Sequence, residues 1–242
     1  MNERRVSRRR VLASLGLGTA ALAGCLGVGG GESGDGGSGE ASGNGTGGSG
    51  GTGASGLDHP VGDGIDGQPT LGPAAGTAEA TLVAFEDPSC PRCAAFHRDT
   101  VPRIRSELVD TGRATYVVRP YPIVYAWGEP ATRALWATYE RDAEAFWSLL
   151  DHYFTEQGSF DESNVVDRTR SWLDAETSVD VDAVVNAAEA DGFPAPVQSN
   201  LDIGEAEGIN GTPTVVMFRD GQYQSRATGS VSYDLITSAL NL

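Results

Sequence analysis

Apolar and polar residues alternate between two rhythms along the second two-thirds of this chain. Thr81-Leu82-Val83-Ala84-Phe85 is a short β-type run of the length of a buried strand. Pro91 to about Val109 then carries apolar residues at helical spacing, with a kink expected at Pro102. Ala114 to Val118 returns to β and is stopped by Pro120 and Pro122. Strand, helix and strand at this spacing predict a parallel βαβ unit. A long helical region follows: Glu129 to about Thr155, Ser163 to Leu173 with a cap at Asp161 or Ser163, Asp182 to Asp191 ending at Gly192, and Pro196 to Glu207. Trp127, Trp136, Trp147 and Trp172 fall in or beside it; packing is their default role, with a groove lined by one or two as the alternative. Val215 to Phe218 and Gln222 to Thr228 flank Asp220-Gly221, a hairpin signature, and Ser232 to Leu240 predicts a closing amphipathic helix.

The first 57 residues follow neither rhythm. Ser7-Arg8-Arg9-Arg10-Val11-Leu12 places arginines directly before an apolar stretch that runs to about Ala23, too short to span a bilayer comfortably. Residues 1–24 therefore read as an export signal. The arginine pair resembles the twin-arginine type, with the charged start of an ordinary secretory signal as the alternative. Leu22-Ala23-Gly24-Cys25 resembles a lipoprotein processing box, so Cys25 is expected to carry lipid rather than remain an unused cysteine. Residues 25–57 are almost all Gly, Ser, Thr and Asn with a few acids; such a chain buries no apolar surface and is expected to be a flexible linker with a reach on the order of 30 Å. Residues 58–242 remain as one domain with an inserted helical lobe at about 124–208. These features place the body on the extracytoplasmic face of a membrane, held by a lipid anchor, in a space where disulfides persist.

Charge narrows the partners. The chain has 33 acidic residues against 17 basic ones, all arginine, for a net charge of −16. Removing residues 1–24, with five arginines and one glutamate, takes the remainder to about −20. A surface this acidic repels itself in dilute buffer and is better tolerated in strong salt; it resembles proteins of salt-loving archaea. Nucleic acid is excluded as a partner because no basic patch is present to meet a polyanion.

The candidate chemistry lies at Cys90-Pro91-Arg92-Cys93, between the first strand and the first helix. Residues three apart on a helix share a face within disulfide reach, and a helix N-terminus favours a thiolate through its unpaired N–H groups and dipole. A C-x-x-C pair alone is also compatible with half a zinc site or a structural bridge. Outside this pair the chain offers only Cys25 and the histidines His59, His97 and His152, few ligands for a four-coordinate site. His97 falls one turn beyond Cys93, so a Cys90/Cys93/His97 face for a soft metal such as Cu(I) stays open. Arg92 brings a positive charge beside Cys90 that favours its thiolate, and a protonated His97 would add to it, although a solvent-facing helix residue is the commoner case.

Two strings, Phe85-Glu86-Asp87-Pro88-Ser89-Cys90-Pro91-Arg92-Cys93 and Gly208-Ile209-Asn210-Gly211-Thr212-Pro213-Thr214, stand about 120 residues apart in an α/β pattern with a helical insertion. In this order they resemble the thioredoxin superfamily, and the inserted lobe resembles the DsbA-like thiol-disulfide oxidoreductases. The resemblance covers about residues 66 to 242. It implies a thioredoxin-like fold, a central mixed sheet flanked by helices. It also implies Cys90 as an exposed attacking thiol, Cys93 as a buried resolving thiol and Pro91 and Arg92 as tuning residues. Pro213 would be a cis-proline facing the dithiol, with Thr212 binding an extended substrate strand. Disulfide exchange with exported proteins is the implied activity, with the oxidase direction favoured, a membrane redox partner for reoxidation and no metal or organic cofactor required. A peptide-binding protein or soft-metal carrier on the same fold is the alternative. One departure stands out: several relatives place an acid six residues before the first cysteine, where this chain has Ala84, leaving proton handling to Glu86 or water, with Asp87 also near in sequence.

Overall fold

The computed structural model of the chain describes residues 56–242. The expected signal, Cys25 and nearly all of the linker lie outside the described residues.

Among the described residues five strands form one mixed sheet in the order β1-β3-β2-β4-β5. They are β1 (Thr70–Leu71), β2 (Ala80–Glu86), β3 (Ala114–Pro120), β4 (Thr214–Arg219) and β5 (Gln222–Thr228). β2 and β3 are parallel, and the remaining pairs are antiparallel. Every residue of β2 and β3 is buried, as expected of central strands covered on both faces. The two-residue edge strand β1 has too few residues to show a sequence period. At the β4–β5 turn, Asp220 and Gly221 take φ of 50° and 78°, the paired left-handed conformation of a type I′ hairpin.

Between β2 and β3 runs α1 (Pro91–Asp99), then α2 (Val101–Arg103) and a π-helical turn (Ile104–Val109). The expected helix of Pro91 to Val109 is thus interrupted, and the break falls at Thr100, before Pro102, which lacks the N–H that would continue the ladder. Thr100 Oγ1 fastens the break by donating to the Val231 carbonyl at 2.9 Å.

The insertion between β3 and β4 holds α3 (Gly128–Tyr139), α4 (Ala143–Thr155), α5 (Val165–Glu176), α6 (Val181–Glu189) and α7 (Ala195–Ala206); α8 (Tyr233–Leu240) closes the chain. The single helix expected over Glu129 to Thr155 is two helices. Asp142 leaves the helical conformation and caps α4, its carboxylate accepting from the N–H groups of Glu144 and Ala145, so local capping outweighs the continuous apolar rhythm. Neither Asp161 nor Ser163 is the cap of α5, which starts after Asn164. Asp180 caps α6, and Ser232 caps α8 as its place before the last amphipathic run predicts. No helix among the described residues is long and apolar enough to cross a membrane.

The alternation of β2 divides the core. Leu82 and Ala84 face a large cluster with Cys93, Phe96, Tyr116, Phe146 and Ile236, while Val83 and Phe85 face a smaller one with Val61, Tyr121 and Phe218. Arg119 is fully buried beside the second cluster. Its guanidinium donates to Asn200 Oδ1 at 2.6 Å and to the carbonyls of Val61 and Asp63 at 2.8 and 2.5 Å, tying the segment before β1 and helix α7 to β3.

Candidate active site

Cys90 is the N-cap residue of α1, with Pro91 at the first helical position, so its sulfur stands at the positive end of the helix, where the backbone N–H groups of Cys93 and Arg92 favour its charged form. Cys90 and Cys93 are free thiols. The Cys93 thiol, donating a hydrogen bond, is the largest influence on Cys90; burial opposes it, and the backbone N–H groups of Cys93 and Arg92 reinforce it. The balance lowers the Cys90 thiol to about 6. Cys93 moves the opposite way, well above the ordinary thiol range, through burial first, then the hydrogen bond given to Cys90 and the charge of Glu86. Two thiols three residues apart are thereby shifted in opposite directions, Cys90 toward the thiolate and Cys93 toward the protonated thiol.

The loop before β4 lies against this pair. The Thr212-Pro213 peptide bond is cis, and the Thr212 carbonyl accepts from Cys90 Sγ at 3.2 Å. This contact corrects one expectation: Cys90 is only 4% exposed, because the Thr212-Pro213 loop covers it. Arg92 acts on Cys90 through its backbone N–H, while its exposed side chain runs along a cavity of about 200 Å³ with Ala95, Asp99, Gly229 and Ser230.

Asp87 braces the turn that enters α1. One carboxylate oxygen accepts from the N–H and hydroxyl of Ser89, at 2.7 and 2.6 Å, and the other from the N–H groups of Ile123 and Val124, at 2.8 and 2.7 Å. Burial raises its pKa despite these four bonds. The braced loop after β3 exposes Ile123, Val124 and Tyr125. Tyr125 and Trp127 line, with Ser89, Pro91, Gln157 and Phe160, a cavity of about 460 Å³ beside Cys90. Trp127 thus serves both readings of the tryptophans, since it is packed and also forms part of a groove wall.

The position of His97 corrects a further expectation. His97 is not a solvent-facing helix residue: its side chain is 6% exposed, and Nε2 lies 2.6 Å from Glu86 Oε2. Burial alone would lower the imidazole, but Glu86 and Asp151 outweigh it and raise His97 to about 9. Tyr116 donates to the other Glu86 oxygen. With His97 turned to Glu86, the Cys90/Cys93/His97 metal face is not assembled, and no cluster of three or more His, Cys, Asp or Glu side chains suited to a metal occurs among the described residues. The signal for Glu86 was present in the strand period: it stands two residues after Ala84, so the two share the face beneath the dithiol. That His97 shares a face with Cys93 was legible from helical spacing; that α4 covers this face through Phe154 was not.

A family model described as thioredoxin matches residues 67–232. A Bacillus cereus protein named "Probable disulfide bond formation protein D" is 26% identical over 80 residues, which is 33% of this chain and 37% of that one. A Rickettsia conorii protein provisionally named a protein-disulfide oxidoreductase is 24% identical over 161 residues, 66% of this chain and 55% of that one. The chain therefore spans less than two-thirds of the length of these curated relatives. Oxidised BdbD from Bacillus subtilis has the same fold, with a TM-score of 0.64 at 22% identity over 73% of this chain and 92% of that one. A family match across most of the described residues, on a sheet that sets a C-x-x-C helix against a cis-proline loop, carries one conclusion: this chain belongs to the thioredoxin family.

Proposed function

We propose that the protein is a thiol-disulfide oxidoreductase that passes its Cys90–Cys93 disulfide to thiol-bearing exported proteins. The observation that carries this reading is the pair of free thiols at the start of α1, set against the cis Thr212-Pro213 loop, with the Cys90 thiol lowered and the Cys93 thiol raised. A substrate thiolate attacks Cys90 Sγ, forming a mixed disulfide and releasing Cys93. A second substrate thiolate then attacks the substrate sulfur of that mixed disulfide, and Cys90 leaves as a thiolate. Low basicity makes Cys90 a fast leaving group, and a stabilised thiolate favours the reduced enzyme, so its disulfide is oxidising. Tyr125, Trp127 and Pro91 offer an apolar wall beside Cys90 for an extended segment, and Thr212 contacts Cys90 itself. The names of the Bacillus cereus and Rickettsia conorii relatives agree with this activity.

The location we propose is the extracytoplasmic face of the cell membrane, with Cys25 lipidated and a membrane partner restoring the disulfide. The arginine-led signal string and the Leu22-Ala23-Gly24-Cys25 box support it.

The test is the equilibrium reduction potential of the Cys90/Cys93 couple in the purified chain in concentrated salt, against glutathione buffers. A value of about −120 to −180 mV supports disulfide donation. About −270 mV would reverse the direction to reductant, and failure to form the disulfide would sink the reading. In cells, Cys93→Ser should accumulate mixed disulfides with exported proteins, and Cys25→Ser should release the chain from the membrane fraction.

A further inference from the structure

Resting on the oxidoreductase reading, this inference concerns the proton that Cys93 must gain and lose. When substrate attacks Cys90, the Cys90–Cys93 bond breaks and its electron pair goes to Cys93 Sγ. That sulfur is fully buried, and burial opposes its charge, so the thiolate needs a proton delivered inside the protein. In this chain Ala84 leaves the strand position beneath the dithiol without an acid.

Glu86 stands two residues further along the same face, 1% exposed. His97, one helical turn after Cys93 on α1, meets it at 2.6 Å. The imidazole is packed beneath the Phe154 ring of α4, centroids 4.3 Å apart, and its Nδ1 lies 3.8 Å from Asp151 Oδ1. Asp151 is 68% exposed and stands at the edge of a cleft of about 270 Å³ between α1 and α4, lined also by Ala94, Arg98 and Phe154. This cleft shares no lining residue with either cavity beside Cys90. The ionisable groups around His97 are Glu86 from β2, Tyr116 from β3, Asp151 from α4, and Cys93 and Arg98 from its own helix; Arg98 is paired with Asp99 at 2.9 Å.

We propose that Asp151, His97 and Glu86 form a proton route from the α1–α4 cleft to Cys93, entering apart from the face on which substrate meets Cys90. In the forward step the substrate–Cys90 bond forms, the Cys90–Cys93 bond breaks, Cys93 Sγ takes one proton from the Glu86–His97 pair, and the pair regains one from cleft water at Asp151. In the reverse step Cys93 returns the proton to Glu86 as it attacks Cys90, and an equivalent proton leaves through His97. The buried pair ends each step with the charge it began with, which is the electrostatic reason for using two opposed groups rather than a lone acid. Separate entrances let a bound substrate block Cys90 without blocking the proton.

The test follows the reduction of the Cys90–Cys93 disulfide in the full chain by glutathione, as a rate per glutathione thiolate, across pH. The wild-type rate should fall as pH rises through about 9, where His97 loses its proton. His97→Gln should slow the step about a hundredfold below that pH, remove this inflection and reduce the solvent deuterium isotope effect. Asp151→Asn, an exposed substitution, should slow it less and leave the fold intact. In His97→Ala, added imidazole should restore the rate. A wild type that exchanges disulfides while His97→Gln and Asp151→Asn keep its pH profile and isotope effect would overturn the route alone. A wild type inert toward glutathione would overturn the route together with the activity it rests on.

Discussion

At the scale of single residues the site works by opposing shifts. Cys90 is lowered from 9.0 to about 6, so its contribution to the reduced fold is lost as pH falls through about 6, grows between these values and is complete above 9.0. His97 has the opposite sign. Raised from 6.5 to about 9, it contributes fully below 6.5 and loses that contribution as pH rises through about 9. Thiolate absorbance of the reduced protein should therefore titrate near pH 6, and Cys93→Ala should move that midpoint up by removing the hydrogen bond that lowers Cys90 most. Denaturant unfolding of the reduced protein should show an alkaline loss of stability that His97→Gln diminishes. A Cys90 midpoint near 9 in the wild type would contradict the arrangement. The cysteines were legible from spacing alone, whereas Glu86 needed the strand period and His97 needed the neighbouring helix.

Elements hold these residues in place through a few contacts between distant segments. Asp87 and Ser89, on the turn into α1, pack against the start of α3 so closely that a Cβ on Gly128 would lie 2.6 Å from Asp87 Oδ1 and 2.8 Å from Ser89 Oγ. Gly128→Ala should therefore cost about 1–3 kcal/mol by overpacking and raise the Cys90 thiolate midpoint, because displacing the brace turns the first N–H groups of α1 away from the sulfur. Denaturant unfolding and thiolate titration measure the two effects. The hairpin was readable because Asp220-Gly221 encodes its own turn, and β2 and β3 because their apolar runs are short and bounded by polar residues and prolines. The divided helices were not, because a capping bond at Asp142 and an anchor from Thr100 to Val231 outcompete a nearly continuous apolar rhythm.

For the whole molecule the dominant fact is its charge, −16 with lysine absent. Several surface ion pairs, such as Arg103 with Glu107 and Arg170 with Asp182, are exposed and add little, so the excess of carboxylates over arginines sets the salt response. Raising salt from about 0.1 M to about 1 M shortens the screening length from about 10 to about 3 Å, and the thermal midpoint should rise with it. A midpoint that falls over this range would show that attractive pairs, not self-repulsion, govern the surface.

The sequence by itself determined the dithiol and its place at a helix start, the strand–helix–strand opening, the helical insertion, the closing hairpin and helix, and the acidity of the surface. All of these are local or compositional properties, written in residues within a few positions of one another. Tertiary structure alone decided that Thr212 covers Cys90 from 122 positions away, that His97 turns inward to Glu86, and that Arg119 donates to Asn200 across 81 positions. Those outcomes depend on which faces of distant segments meet, and no periodicity along a single segment records its partner.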